Sequence, residues 1–409
     1  MHRCFPPVLL VSLLTAVAGC GDAFGPIEHL PRDLSVAETH LVNANNRFAF
    51  RLFREVNTQE GTTTNVFLSP LSVGMALGMT YNGAAGTTRD AMQQTLGFDG
   101  MTVQEVNEAY QSLIALLRNL DPRVEFLLAN SIWYRESVPI VPAFLETNRQ
   151  YFDAEVTGLD FADPASVDVI NAWVNTQTNG RIEEIVDAPI DPLTFMFLID
   201  AVYFKGDWTY QFDKRRTRDG DFQLAGGSPV SVPMMSRDEE IPVRLHQDAG
   251  YTVLDLPYGG QAYSMTIVMP QNPDSLDDLA REVTADRWDA WIAQLDSMDV
   301  QVSIPKFTLE YDIELKDVLR ALGMGIAFTA DADFANMTPI EEAFIKKVKH
   351  KTFVNVNEEG TEAAAVTSVE MQFRGGPLTV WVDRPFIFAI RENYSGTILF
   401  IGKVVNPAG

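Results

Sequence analysis

The sequence predicts an α+β protein, and three stretches carry that expectation. Leu41, Phe48, Leu52, Phe53 and Val56 recur at helical spacing. Phe195-Met196-Phe197-Leu198-Ile199-Asp200-Ala201-Val202-Tyr203-Phe204 is an apolar run with one charge, Asp200, and suits a fully buried central strand. Thr361, Ala363, Ala365, Thr367, Val369, Met371 and Phe373 are small or apolar at a period of two. Glu362, Glu370 and Arg374 fall on the opposite face, which is the alternation of a half-buried antiparallel strand.

A chain of 409 residues, 46% of them apolar, has ample material for a large core. Its formal net charge of -24 argues against nucleic-acid binding, because phosphate contacts need clustered Lys and Arg. The charge fits a soluble surface in an extracytoplasmic setting instead.

At the N-terminus His2-Arg3 precedes the apolar run Val8 to Ala18, too short for a stable membrane span, so residues 1–19 read as a targeting segment. Val17-Ala18-Gly19-Cys20 resembles the bacterial lipobox, which makes Cys20 the expected lipidation site. An ordinary secretory signal with a chance cysteine is the alternative. Two acyl signals or more anchor a protein firmly. Cys4 would leave with the signal, so the mature chain is expected to hold no disulfide. Residues 20–40, with Gly25-Pro26 and Leu30-Pro31 and no sustained periodicity, read as a flexible tether, and 41–409 as one folded domain. No second linker, internal repeat or low-complexity tract follows.

Within the domain, Asn65-Val66-Phe67-Leu68 leads into Ser69-Pro70, a strand handing over to a buried helix with Ser69 as cap and proline at the first helical position. Tyr81 to Thr88 reads as a loop and a new helix. Its glycines lack the Lys-Ser/Thr that a phosphate cradle requires. Glu105 to Leu120 is amphipathic at helical period, Val124 to Tyr134 reads as a strand, and Asn179-Gly180 closes a further helix.

Catalytic constellations are missing. Only His29, His40, His246 and His350 lie beyond the targeting segment, no His-Glu-x-x-His pair occurs, and there is no Gly-x-Ser-x-Gly elbow. Carboxylates are abundant without forming a recognisable pair. No enzyme, metal or cofactor is expected.

The segment from Thr361 has two plausible states, an exposed loop or a strand inserted in a sheet. No proline interrupts it before Pro377, and extended to Arg374 it would span about 46 Å. Arg374-Gly375-Gly376-Pro377 sets a basic residue beside turn formers, where a site-specific protease can reach the Arg374–Gly375 bond.

Gly360-Thr361-Glu362-Ala363-Ala364-Ala365-Val366-Thr367, preceded by Val356-Asn357-Glu358-Glu359, resembles the hinge of the inhibitory serpins. Asp383-Arg384-Pro385-Phe386-Ile387-Phe388 is similar to their signature after the reactive loop. Phe204-Lys205-Gly206-x-Trp208, Ile304-Pro305-Lys306-Phe307 and the closing Gly396 to Pro407 extend the resemblance over about Leu41 to Pro407. It implies the serpin fold, with about nine helices, three β-sheets, a large central sheet A and an exposed reactive-centre loop. It implies a suicide inhibitor cleaved after Arg374, whose hinge (Glu358, Gly360, Thr361, Glu362, Ala363, Ala364, Ala365, Val366, Thr367) leads the loop into the sheet. Small hinge side chains favour this over a non-inhibitory serpin-fold binding or chaperone protein.

The resemblance also implies that Trp208 lies where the loop first enters the sheet. It implies a mid-sheet polar cluster of Ser69, Ser72 and His350, with Asp200 where an asparagine is expected. A buried carboxylate needs a partner, so Asp200 is expected to accept a hydrogen bond from His350, or else to stand in, neutral or solvated, for asparagine. Arg374 points to a trypsin-like serine protease as partner; an arginine-specific cysteine protease also fits, and Phe373 or Met371 would present a chymotrypsin-like site if the register slips. The expected state is a monomer, held to a bacterial membrane only through the lipid, or secreted.

Overall fold

The computed structural model describes residues 25–361 and 378–408. The targeting segment, Cys20, the hinge residues Glu362, Ala363, Ala364, Ala365, Val366 and Thr367, and the Arg374–Gly375 bond lie outside the described residues.

Nine α-helices occur among the described residues: α1 (Val36–Glu60), α2 (Pro70–Tyr81), α3 (Gly86–Leu96), α4 (Val103–Arg118), α5 (Pro142–Phe152), α6 (Ala165–Gln177), α7 (Leu276–Glu282), α8 (Ala285–Ala293) and α9 (Lys316–Leu319). The strands are β1 (Val66–Leu68), β2 (Val124–Arg135), β3 (Glu155–Leu159), β4 (Met196–Asp207), β5 (Arg218–Phe222), β6 (Val230–Ser236), β7 (Ile241–Gln247) and β8 (Tyr251–Tyr258). They continue with β9 (Tyr263–Pro270), β10 (Asp296–Pro305), β11 (Phe307–Glu314), β12 (Lys349–Val356), β13 (Gly360–Thr361), β14 (Thr379–Trp381), β15 (Phe386–Glu392) and β16 (Ile398–Val404).

Local sequence chemistry sets the helix starts. Ser35 and Glu38 form a capping box at α1, and Thr102 and Glu105 form another at α4, each satisfying two otherwise orphaned backbone donors. Ser69 caps α2 by accepting from the Ser72 N–H, with Pro70 behind it. Helix α1 therefore begins at Val36, ahead of the boundary expected at Leu41. The chain before it is docked as well. The Ile27 N–H donates to Gly260 O at 2.7 Å, and the Arg32 guanidinium grips Glu38 at 2.9 and 2.5 Å.

The strands form two layers. In one, β1-β16-β15-β9-β8-β7 run to the first half of β10, whose second half turns to pair with β6 and, in parallel, with β14; β5 lies beyond β6. β15 and β16 are buried along their whole length because helices and the second layer cover them. The second layer is the central sheet, and it is divided. One part has the order β13-β4-β2-β3, the other is the antiparallel pair β11-β12.

A large core fills the space between the layers, and a smaller one, built on Trp133, Ile170, Val174 and Ile199, seats α6 on the outer face of β2 and β4. β4 departs from the fully buried strand that its composition predicts. Met196, Leu198, Asp200 and Val202, the residues on its inner face, are only half-buried, because among the described residues no strand pairs with that edge of β4 below Gly206.

Candidate functional site

The site is the seam where β4 faces β12 without pairing to it. Between Met196–Asp200 of β4 and Lys349–Lys351 of β12 lies a cavity of about 410 Å³, floored by Ser72, Val73, Ala76, Leu77 and Thr80 of α2. Among the described residues nothing pairs with the two facing strand edges along this stretch, and such an edge is a template for an additional strand.

At the upper end the seam is closed. Gly360 and Thr361 pair antiparallel with Asp207 and Gly206, which is the first rung of a strand between β4 and β12. Gly360 has φ 148°, and a Cβ there would lie 2.2 Å from Gly206 O and 2.5 Å from Asp207 Cα, so only glycine lets the chain lie this close to β4.

Trp208 fastens this corner. Its backbone N–H donates to Glu359 O at 2.8 Å and its indole N–H to Asn357 O at 2.9 Å, while the ring stacks on Tyr258 with centroids 4.4 Å apart. The Phe212 N–H donates to Glu358 O at 2.8 Å. The Glu358 side chain, 4% exposed, accepts from Thr217 Oγ1 at 2.7 Å and from Lys306 Nζ at 2.9 Å. Burial alone would raise this carboxyl; the bonds from Thr217 and Lys306 outweigh it and hold the group below its ordinary range. Lys214 pairs with Glu359 beside it.

The mid-sheet cluster is assembled differently from the expectation. Ser69 Oγ donates to Leu399 O at 2.9 Å, and the Ser69 N–H donates to His350 Nε2 at 3.0 Å. Ser72 Oγ donates to the main-chain oxygen of Asp200 at 3.3 Å. The expected hydrogen bond from His350 to Asp200 is not made. The Nε2 of His350 is occupied as an acceptor by a backbone donor, and neither carboxylate oxygen of Asp200 has a hydrogen-bond partner among the described residues, though both are shielded from solvent. Burial pushes His350 down to about 4, so the ring is neutral at physiological pH. Burial pushes the Asp200 carboxyl well above the carboxylate range, with the nearby Ser72 hydroxyl and the Arg118 charge offsetting only part.

Trp208, Glu358, Gly360 and Thr361 thus meet at one corner, and Ser69, Ser72, Asp200 and His350 meet lower on the same seam. The sequence reading missed Lys306, Thr217 and Tyr258 as working parts of the corner. Lys306 stood inside a motif already singled out, but a contact between residues 52 positions apart leaves no periodic signal. Among the described residues no cluster of three acidic, His or Cys side chains could hold a metal ion.

Comparison with known proteins agrees with this architecture. The model of the family described as "Serpin (serine protease inhibitor)" matches residues 43–407. Leukocyte elastase inhibitor of Bos taurus is 36% identical over 375 residues, covering 89% of this chain and 98% of the relative. Iripin-2 of Ixodes ricinus is 35% identical, with 90% and 94% covered. Among solved structures, the thermophilic serpin tengpin in its native state superposes with a TM-score of 0.81 at 31% identity, covering 94% of this chain and 97% of that one. Human thyroxine-binding globulin in complex with thyroxine superposes with a TM-score of 0.82 at 28% identity, covering 91% of this chain and 99% of that one. With nine helices, a divided central sheet and a match across nearly all of the domain, the chain belongs to the serpin family.

Proposed function

We propose that the protein is a suicide-substrate inhibitor of a trypsin-like serine protease, not an enzyme. The target attacks the carbonyl of Arg374, its serine becomes acylated, and the Gly375 amine leaves. The freed segment then enters the seam between β4 and β12, carrying the acylated protease with it and distorting its active site before water can release it. Native folding on this reading stops at a kinetically trapped state with one strand left out, and insertion releases the stored free energy.

One observation carries the reading. β13 holds the first rung on β4, and among the described residues nothing pairs with β4 or β12 along the rest of the seam above the α2 floor, so insertion continues a pairing already begun. The arginine preference rests on the match of a cationic side chain to the carboxylate-based pocket of trypsin-like enzymes. The relatives named as inhibitors support the general activity. The lipobox-like stretch ending at Cys20 supports attachment to a bacterial membrane outside the cytoplasm, with the inhibitor acting as a monomer.

Thyroxine-binding globulin, complexed with a hormone, favours one alternative, a serpin-fold carrier that traps no protease. Mixing the protein with trypsin separates the two. The inhibitor gives a covalent complex that survives boiling in detergent and disappears in Arg374→Ala. Cleavage of the loop without a covalent band would support the carrier.

A further inference from the structure

The inner face of β4 presents Met196, Leu198, Asp200 and Val202 in a row, with a single carboxyl among apolar neighbours. Directly opposite Asp200 in the antiparallel register of β2 stands Asn130. Opposite residues in such a pair share a face, with Cβ atoms roughly 4.5–5.5 Å apart. Asn130 is buried. Its Nδ2 donates to Phe152 O at 2.7 Å, but among the described residues its Oδ1 has no donor, and neither do the two carboxylate oxygens of Asp200. Three shielded acceptor oxygens thus belong to two residues directly opposite in the β2–β4 register, and none of the three has a hydrogen-bond donor among the described residues.

Neighbouring groups do not supply one. Ser72 on α2 stands near the carboxyl and offsets part of its burial, but its hydroxyl donates to the main-chain oxygen of Asp200 at 3.3 Å and bonds neither carboxylate oxygen. On α4, the Tyr110 hydroxyl donates to Asn45 Oδ1, and the Arg118 guanidinium is engaged by Asp153 and by Leu128 O. His350 on β12 is neutral and bonded to Ser69. The lysines around the cavity are each paired: Lys346 with Asp191, Lys347 with Asp187, Lys349 with Asp187 and Asp312, and Lys351 with Glu310. An ionised Asp200 would therefore be a buried charge without a counter-charge, set against another acceptor.

We propose that Asp200 is a neutral acid in the native sheet, its O–H donating to Oδ1 of Asn130, and that release of this proton to solvent loosens β4 beside the open seam. One proton and one hydrogen bond are exchanged, and no other reactant is needed. The sign of the effect is fixed. An acid whose folded-state value lies above its unfolded one contributes its full stabilisation below the ordinary value of 3.8 and loses it as pH rises through the folded value. Rising pH therefore favours opening of the seam. His350 acts in the opposite sense: its contribution is present above 6.5 and lost as pH falls toward about 4. That term is common to wild type and to variants at Asp200, and it cancels in their difference. The lock depends on the inhibitory reading only for its consequence, faster loop insertion at higher pH.

The test compares urea unfolding of wild type and Asp200→Asn over about pH 5 to 9. The amide of the variant gives Asn130 Oδ1 a donor that does not titrate. The folding equilibrium constant of wild type should fall relative to the variant by up to about tenfold per pH unit across the window in which Asp200 ionises. Infrared difference spectra of wild type against the variant should show the carbonyl band of a protonated carboxylic acid, lost with the same midpoint. Asn130→Ala keeps the acid and removes its acceptor, so that band should move toward the position of an unbonded acid. Parallel pH curves, absence of the acid band, or a band unmoved in Asn130→Ala would each overturn the proposal. Complex formation with trypsin is scored separately: its failure with the pH difference intact counts against the inhibitory reading alone.

Discussion

Replacing Glu358 by alanine tests whether the upper corner holds the seam closed. The change removes the charge-assisted bond from Lys306 Nζ at 2.9 Å and the bond from Thr217 Oγ1 at 2.7 Å. Hydrogen bonds to charged groups contribute about 1.5–3 kcal/mol each. The Lys306 side chain is already 38% exposed and can turn to water, so the loss falls near the low end, about 2–3 kcal/mol in total. With an unfolding entropy of about 2.1 cal/mol/K per residue over 409 residues, that lowers Tm by about 3 °C. Differential scanning fluorimetry at one fixed heating rate measures it, because unfolding of such trapped states depends on rate. The β13–β4 rung is held from the same corner, so the variant should also lose its capacity to trap trypsin faster on incubation at moderate temperature. The carboxyl lies below its ordinary value, so its contribution is present above pH 4.5 and fades as pH falls through the folded value. The gap in Tm between the two proteins should therefore close on acidification. An unchanged Tm at neutral pH, or a gap that widens in acid, would refute the reasoning.

Two further substitutions probe other parts of the frame. Trp208→Phe keeps an aromatic ring against Tyr258 but removes the donor to Asn357 O, a loss of about 1–3 kcal/mol; inhibitory capacity should decay faster at 37 °C while the initial rate of complex formation with trypsin is preserved. Arg391→Met strands the buried carboxylate of Asp255, which Arg391 Nη2 contacts at 2.9 and 3.0 Å. The expected cost is about 3–5 kcal/mol, read as a Tm lower by about 4–6 °C, and the double variant with Asp255→Leu should recover most of it.

Much of the fold was legible because its signals are local. The Ser69-Pro70 cap, the amphipathic run from Glu105 and the strand from Val124 are written within a few residues of where they act, and α2, α4 and β2 appear there. Glycine at 360 was legible as part of a motif. Its reason, backbone contact with Gly206 and Asp207, needed β4 to be in place. The apolar run around Asp200 read as a fully buried strand because composition cannot show that one edge of a strand has no neighbour among the described residues. The pairing assigned to His350 and Asp200 failed for a similar reason. Two polar residues expected in one cluster need not bond each other, and here the Ser69 N–H takes the imidazole while Asp200 stands opposite Asn130 in the strand register.

The sequence by itself determined the α+β class, the capped helices, the run of small residues after Gly360 and the absence of a familiar catalytic motif, since each depends on neighbouring residues and their period. Only the tertiary structure decided that β4 and β12 stand apart over α2, that Glu358 is clamped by Lys306 and Thr217, and that Asp200 lies opposite Asn130 in the β2–β4 register and makes no bond to His350. Those facts depend on strand register and on contacts between distant segments, which are set by the packing of the whole core and leave no trace in local period or composition.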